Sequence, residues 1–353
     1  MIPMVSSPHI HGGDSLRAVM LSVIVALMPA SIVAVYLFGW LAVLMILFCM
    51  VACLVTEAIC LLWMGRKLRP LGDGSAALTG LLLALTLPAY LPWWMVLVGC
   101  VAAIVLGKQV YGGLGYNPFN PALAARIILL ISFPLQMTTW MIPLHVSGTA
   151  VDFYNFTDCV SLLFIGPAAL SQGLDAITMA SPLGYLKTEL MRGVDVPAAL
   201  SAYHYNMLDA FVGREAGSLG ETSALALIIG GIYLLARHTI TWHIPLSYLG
   251  TVVLLAYVFN MIDPAIYAPP LFHLLAGGLM LCAIFMATDP VSSPVTPLGQ
   301  LLFGIGCGVI TWSIRTFGGY PEGAMFAVLL MNTAVPLIDH YCRPRVYGQG
   351  RSR

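Results

Sequence analysis

The stretch 41–63, LAVLMILFCMVACLVTEAICLLW, decides the fold class of this chain. It is longer than the roughly 20 apolar residues that an α-helix needs to cross a bilayer, and Glu57 is its only charged residue. The whole chain has the same character, since 59% of its 353 residues are hydrophobic and 8% are charged, whereas about a quarter are charged in soluble domains. The sequence therefore predicts an all-α polytopic membrane protein and excludes a soluble globular domain.

Similar apolar runs recur along the chain and predict about ten transmembrane helices. Their approximate cores are residues 18–38, 41–63, 76–90, 93–110, 121–136, 223–236, 244–262, 272–287, 298–314 and 324–340. A long polar segment separates the fifth run from the sixth. We therefore expect a first membrane part (1–136), a segment outside the membrane (137–222), and a second membrane part with a C-terminal tail (223–353).

Lysine and arginine predict the orientation, because the cytoplasmic connections of membrane proteins carry an excess of both. They lie at the N-terminus, after even-numbered spans or at the C-terminus: Arg17, Arg66, Lys67, Arg69, Lys108, Arg237, Arg343, Arg345, Arg351 and Arg353. Arg315, near the ninth span, disagrees. We expect both termini in the cytoplasm and residues 137–222 in the periplasm of a bacterium, with the chain in the inner membrane. The formal net charge of +0 gives no indication of a nucleic-acid partner.

Two breaks rich in Gly, Pro or Asn occupy corresponding places in the two membrane parts. Residues 112–126 follow the fourth span, and residues 318–328 follow the ninth. Breaks at matching places suggest an internal repeat of five spans with a buried site or pathway, because irregular backbone at membrane depth needs protein or water to satisfy it. Two tight interfacial turns explain the same pattern equally well.

Two acidic residues are candidates for an ion pathway. Glu57 lies inside a predicted span, where a charge is costly unless it faces a partner or a water-filled path. A protonated Glu57 that is hydrogen-bonded to a neighbouring helix is the alternative. Asp289 ends the eighth span before Pro290, where it could bind a polar group of a cofactor or only terminate the turn. The cysteines and histidines lack metal-site spacing, so we expect packing roles for the cysteines and no metal; no motif indicates a catalytic residue.

The stretch 175–183, DAITMASPL, lies in the long polar segment and ends at a predicted helix start. Ser181 followed by Pro182 is typical of an N-cap and a first helical residue, so a short helix should follow. A phosphate ester on the Ser181 hydroxyl would face unpaired N–H groups and the positive end of that helix. On these residues alone, an ordinary helix cap is the more common explanation.

Six short stretches together resemble the D subunits of the bacterial Rnf electron-transport complex and, more distantly, the B subunits of the sodium-pumping NADH:quinone oxidoreductase. They are 75–80 (SAALTG), 107–121 (GKQVYGGLGYNPFNP), 217–223 (GSLGETS), 237–245 (RHTITWHIP), 288–291 (TDPV) and 343–348 (RPRVYG). The resemblance covers essentially the whole chain. Its specific parts are the Gly/Asn/Pro run and the C-terminal tail.

The resemblance implies ten spans in two five-helix repeats, similar to urea-transporter architecture. It also implies an FMN joined through its phosphate to a hydroxyl of an Asp-x-x-Ser/Thr-x-Ala-Thr motif. In this chain the motif corresponds to Asp175, Thr178, Ala180 and Ser181, with serine in place of the usual threonine acceptor. Serine keeps the nucleophilic oxygen and lacks a methyl group, so Ser181 is the expected acceptor and Thr178 the alternative.

The implied function is that of a flavin-carrying membrane subunit in an ion-translocating ferredoxin:NAD oxidoreductase complex. Electrons would pass through the covalent FMN, and their transfer would be coupled to Na⁺ or H⁺ movement. A second, noncovalent flavin such as riboflavin is left open. The implied partners are the other Rnf subunits, above all the periplasmic FMN-bearing subunit and the membrane subunits, together with a flavin transferase for maturation. The alternative is a urea-channel-like solute transporter without a redox cofactor.

Overall fold

The computed structural model describes residues 15–143, 156–165 and 178–342, and most of them are helical. The α-helices are Leu16–Phe38 (α1), Trp40–Trp63 (α2), Ser75–Thr86 (α3), Trp93–Val101 (α4), Pro121–Ser132 (α5), Pro134–Thr138 (α6), Phe156–Ile165 (α7), Pro182–Met191 (α8), Val196–Ala202 (α9), Met207–Val212 (α10), Ala224–Ala236 (α11), His243–Ile262 (α12), Pro270–Leu275 (α13), Leu279–Leu281 (α14), Pro297–Phe317 (α15) and Ala324–Tyr341 (α16). Two π-helical stretches continue α4 and α14, over Ala102–Gln109 and Cys282–Met286 respectively. A 3-10 helix covers Arg69–Asp73.

Five helices are long and apolar enough to cross a membrane: α1, α2, α12, α15 and α16. Five more helical stretches are apolar but shorter: α3, α4 with its π-helical continuation, α5, α7 and α11. Every predicted apolar core contains a helix, and the core 272–287 is divided between α13 and α14. The prediction of a helical, multi-pass membrane protein is confirmed, whereas the number of spans and their arrangement as two repeats stay predictions.

The first and second membrane parts share one hydrophobic core. α1 packs against α11, and α5 packs against α16, so each contact joins a helix of the first part to a helix of the second. A smaller apolar cluster joins α8 and α9 to α13 through Leu183, Leu186, Val196 and Phe272. The helix that follows Ser181 is therefore held against the broken helix α13–α14.

Segment 137–222 is less uniformly polar than the sequence suggested. Its helix α7 lies along the membrane helices: the Phe156 ring meets the Trp40 ring edge-on, with centroids 5.8 Å apart, and Phe164 lies 6.1 Å from Trp93. Two short strands, Trp140–Met141 (β1) and Thr178–Met179 (β2), pair antiparallel and bring the chain that precedes Ser181 back to the end of the first membrane part. These strands are a small departure from the predicted all-α fold.

The cysteines have the packing role that the sequence predicted. All eight lie in the described residues, none forms a disulfide there, and seven are buried. Most lie on the membrane helices, where a thiol behaves as a small apolar group.

Candidate functional site

Ser181 begins α8, as the sequence predicts. Its backbone is extended (φ −63°, ψ 157°), and its Oγ accepts a hydrogen bond from the backbone N–H of Gly184 at 3.2 Å. Pro182 is the first helical residue, a position where its missing N–H costs nothing. The predicted N-cap is therefore confirmed, and the Ser181 side chain is only partly buried.

The other residues of the expected attachment motif lie just before Ser181. The Ala180 residue is exposed, and its carbonyl accepts a hydrogen bond from the Tyr203 hydroxyl at 3.2 Å. The backbone of Thr178 belongs to β2. Asp175 lies outside the described residues. The roles predicted for all four residues stay predictions.

Ser181 lines a pocket with about 760 Å³ of empty space, a volume that includes space open to solvent. We call it the Ser181 pocket. Aromatic rings and charged side chains share its wall; the rings are Trp140, Tyr320 and Phe326, and the charged residues are Arg126, Glu215, Glu221 and Glu322. The structure thus brings the predicted acceptor hydroxyl together with charged residues that had no predicted role; Arg126 and Glu221 are buried, and Glu215 and Glu322 are partly buried.

Arg126 enters the Ser181 pocket from α5. Its side chain is buried, its Nη1 lies 3.3 Å from the Met137 sulfur, and its guanidinium carbon lies 5.5 Å from the Trp140 ring centroid. Its Nε has no hydrogen-bond partner among the described residues. A buried guanidinium with spare donor capacity can bind an anionic or polar group in the pocket.

Glu221 is held in the Ser181 pocket by the loop 217–223. The Gly220 N–H donates to the Leu85 carbonyl at 2.7 Å, and the Leu219 N–H donates to the Leu87 carbonyl at 3.3 Å. A Cβ at Gly220 would lie 2.6 Å from the Leu85 Cβ, so this close backbone approach requires glycine. The contact explains why a Gly-rich turn precedes α11 and fixes Glu221 next to the end of α3.

Glu322 and Arg315 come from the predicted break after the ninth span and from the end of α15. Glu322 accepts a hydrogen bond from the Gly278 N–H. Arg315 donates to the His273 carbonyl at 2.6 Å and to the Ala276 carbonyl at 3.0 Å, which satisfies carbonyls at the C-terminal end of α13. Arg315 disagreed with the predicted orientation because it is a buried structural charge and not a residue of an exposed connection.

Glu57 forms an ion pair inside the membrane core. Its Oε1 lies 2.5 Å from Lys108 Nζ and accepts a hydrogen bond from Gln109 Nε2 at 2.8 Å. Lys108 also donates to the Ser75 hydroxyl at 2.6 Å, and Ser75 donates to Asp73 at 2.6 Å. The sequence placed Lys108 among the charges of a cytoplasmic connection, but its side chain is only 2% exposed. The structure thus places Lys108 against Glu57 as a partner that the sequence did not assign to it.

Asp289 closes a turn, which is the structural alternative that the sequence offered. Its Oδ1 accepts from the Val291 N–H at 3.4 Å, and its Oδ2 accepts from the Ser292 hydroxyl at 3.1 Å. It also lines a second pocket with an empty volume of about 720 Å³, together with Lys108. Lys108, the partner of Glu57, therefore lines the same pocket as Asp289.

Arg126, Glu221 and Glu322 were not singled out by the sequence, although each lies in or beside a stretch rich in Gly, Pro or Asn. The stretches are 112–126, 217–223 and 318–328. A charged residue in such a break of an apolar chain is a usable signal, because both the irregular backbone and the charge require a polar environment. The sequence does not reveal the tertiary packing that brings Arg126, Glu221 and Glu322 to the wall of one pocket.

Three curated proteins similar to this chain are all named as the D subunit of an ion-translocating oxidoreductase complex. The protein of Stutzerimonas stutzeri is 49% identical over 336 residues, covering 95% of this chain and 93% of its own length. The protein of Halorhodospira halophila (strain DSM 244 / SL1) is 44% identical over 352 residues, covering 99% and 97%. The protein of Escherichia coli (strain K12 / DH10B) is 43% identical over 351 residues, covering 97% of each. The model of the NQR2, RnfD, RnfE family matches residues 3–348. This chain therefore belongs to the NQR2, RnfD, RnfE family.

Proposed function

We propose that this chain is the flavin-carrying membrane subunit of an ion-translocating ferredoxin:NAD oxidoreductase complex. FMN is bound covalently to Ser181 through its phosphate, and electron transfer is coupled to the movement of Na⁺ or H⁺. The observation that carries the proposal is the position of Ser181, whose hydroxyl caps α8 on the wall of a pocket lined by aromatic and charged residues. The name shared by the relatives supports the redox and ion-translocating parts.

The residues around Ser181 suit a phosphate ester on its oxygen. The ester would lie at the N-terminus of the ten-residue helix α8, where backbone N–H groups and the helix dipole favour negative charge. The aromatic residues of the Ser181 pocket suit a flat ring system, and Arg126 supplies a buried positive charge. When bound, FMN would supply the redox chemistry.

The chain itself fixes the attachment helix to the second membrane part. Lys187 on α8 donates to the Tyr320 carbonyl at 2.8 Å and to the Ile314 and Arg315 carbonyls at 3.4 Å. These carbonyls lie at the C-terminal end of α15 and just after it, where intrahelical donors run out. The helix that begins at Ser181 is thereby held in a fixed position beside Glu322.

The membrane arrangement belongs to the same proposal. Ten spans would form two five-helix repeats similar to urea transporters, with both termini in the cytoplasm and residues 137–222 in the periplasm of the inner membrane. This orientation would place Ser181 within reach of the periplasmic FMN-bearing subunit. Other membrane subunits, a flavin transferase and a second, noncovalent flavin such as riboflavin complete the predicted set of partners and cofactors.

Glu57 and Asp289 remain the proposed residues of the ion pathway, and Lys108 joins them. Lys108 is paired with Glu57 and lines the same pocket as Asp289. A cation that reaches Glu57 from this pocket must displace the Lys108 ammonium, so the ion pair would control cation binding at Glu57.

In-gel flavin fluorescence of the denatured chain tests the proposal. The wild-type chain should fluoresce under ultraviolet light, Ser181→Ala should abolish the signal without loss of the chain from the membrane, and Ser181→Thr should keep it because the oxygen is retained. Thr178→Ala is the matched control and should fluoresce like the wild type. Fluorescence that survives Ser181→Ala and disappears in Thr178→Ala would move the acceptor to Thr178. A wild-type chain without fluorescence, isolated from an intact complex, would favour the solute-channel alternative.

A further inference from the structure

Two carboxylates, the buried Glu221 and the partly buried Glu322, face one point at the break between α13 and α14. The position that a Cβ would occupy at Gly278 lies 2.5 Å from Glu221 Oε1 and 3.0 Å from Glu322 Oε1. At Gly277, where φ is +73°, it would lie 2.6 Å from Glu322 Oε1. The two glycines therefore create the space between the carboxylates, and any other residue at position 278 would fill it.

Glu221 has binding capacity that the protein does not use. The residue is 7% exposed, and its Oε1 has no hydrogen-bond partner among the described residues. Its Oε2 receives a long bond, 3.5 Å, from the Ser218 N–H. A buried carboxylate oxygen left in this state costs free energy, so it indicates a ligand.

The positive charges nearby do not pair directly with the two carboxylates. In the described parts of the chain, no Lys, Arg or His nitrogen lies within 4.0 Å of a carboxylate oxygen of Glu221 or Glu322. Arg315 uses its two terminal nitrogens on backbone carbonyls, and Arg126 lies against Met137 and Trp140. The other titratable groups around the point are His273 on α13, Cys282 at the end of α14 and Glu215 in the pocket wall.

We propose that Glu221 and Glu322 form a binding site for one monovalent cation, either Na⁺ or a proton shared by the two carboxyl groups. Two carboxylates that face one point repel each other when both are charged, and a single positive charge between them removes that repulsion. Carboxylate oxygens are also the hard ligands that alkali cations accept.

The site lies on the wall of the Ser181 pocket, so it is placed to couple cation binding to redox change. A negative charge added to a group in that pocket and a cation bound at the carboxylate pair attract each other through a medium of low dielectric constant. Each should therefore increase the affinity for the other. This coupling rests on the function proposed above, whereas cation binding by itself does not.

Cation binding can be measured on the purified complex at rest, without turnover. Infrared difference spectra recorded during a pH titration detect the C=O band of a protonated carboxyl group, and equilibrium binding of radioactive sodium, with choline holding the ionic strength constant, detects Na⁺. We expect the wild type to show one of the two signals. Glu322→Gln and Glu221→Gln should each abolish the infrared band or weaken Na⁺ binding by at least about tenfold. Gly278→Ala, which fills the space and changes no charge, should do the same.

Glu189→Gln is the matched control, because Glu189 pairs with Arg192 on α8 and does not line the Ser181 pocket. It should leave both signals at the wild-type level. If the infrared band depends on pH and does not change when Na⁺ is added, the bound cation is a proton. If Na⁺ binds saturably, the bound cation is Na⁺. The proposal is overturned if both glutamine variants assemble and leave both signals unchanged, or if the wild type shows neither signal. Because the glutamine variants conserve shape, they decide the matter even if Gly278→Ala prevents assembly. None of these results bears on FMN attachment, which in-gel fluorescence reports separately.

Discussion

Replacing Lys108 by Met should leave the Glu57 carboxylate buried without its counter-ion. The pair is 2.5 Å apart, and the two side chains are 2% and 1% exposed. Removing one partner of a buried ion pair costs about 3–5 kcal/mol, and loss of the Lys108–Ser75 hydrogen bond adds about 1 kcal/mol. The Gln109 hydrogen bond to Glu57 remains and does not neutralise the charge. We expect a penalty of about 4–6 kcal/mol for this single change.

The double variant Glu57→Gln, Lys108→Met should cost much less, because it removes both charges and keeps similar side-chain volumes. With about 2–4 °C of melting temperature per kcal/mol in domains of 150–250 residues, the single variant should melt roughly 10 °C or more below the wild type. The double variant should melt less than half as far below it. Thermal melting of the purified complex, followed by size-exclusion chromatography, gives these values.

The pair Arg192–Glu189, whose arginine is exposed and whose glutamate is partly buried, is the matched control for these variants. Arg192 is 69% exposed, so Arg192→Met should cost less than about 1 kcal/mol. If Lys108→Met melts no lower than the double variant or this surface control, the reasoning about a buried charge pair is refuted. Ion uptake into vesicles adds a functional measurement: Glu57→Gln should lower uptake per electron if Glu57 belongs to the ion pathway, and unchanged uptake would leave the pair with a structural role only.

Three further predictions concern the segment around Ser181. Burial, with a smaller contribution from the Asp209 carboxylate, raises the pKa of Glu215 from 4.5 to about 8. Protonated Glu215 therefore contributes stability that is fully present below pH 4.5 and is lost as the pH rises through 8. Glu215→Gln should therefore flatten the fall in melting temperature between those pH values, and an unchanged slope would contradict the raised pKa. The predicted membrane orientation can be tested in a Cys342→Ser variant, whose remaining cysteines are buried. In intact spheroplasts, Ser201→Cys on α9 should react with a membrane-impermeant maleimide, and Lys67→Cys should not. The reverse pattern would overturn the predicted orientation. Lys187→Met removes hydrogen bonds to three carbonyls and should lower the free energy of unfolding by about 1–3 kcal/mol, while FMN stays attached. Thermal melting measures this loss, and a melting temperature equal to that of the wild type would show that these hydrogen bonds contribute nothing.

Local sequence patterns predicted the features that depend on neighbouring residues. The Ser181 cap and the helix after Pro182 follow from two adjacent residues whose backbone preferences act without help from the rest of the fold. The apolar cores likewise predicted where helices lie. The chain 156–165 was missed as a membrane-associated helix because it is too short to satisfy a length criterion of about 20 residues.

The charged interior could not be predicted in the same way. The orientation was predicted by counting the lysines and arginines in each connection, which treats every lysine near the end of a span alike. Such a count does not reveal that the π-helical stretch Ala102–Gln109 places Lys108 next to Glu57. Arg315 disagreed with the predicted orientation for a similar reason, because it is a buried charge at the end of α15. Assembly of Arg126, Glu221 and Glu322 around one pocket depends on packing between the two membrane parts, which no local pattern contains.

Mass mapping of the chain isolated from an active complex is the sharpest test of flavin attachment at Ser181. If Ser181 carries FMN, the peptide that contains it should be heavier by the mass of one FMN less one water, and its fragment ions should place the added mass on the Ser181 oxygen. An unmodified Ser181 peptide from such a complex, or FMN on a different residue, would contradict the proposed attachment.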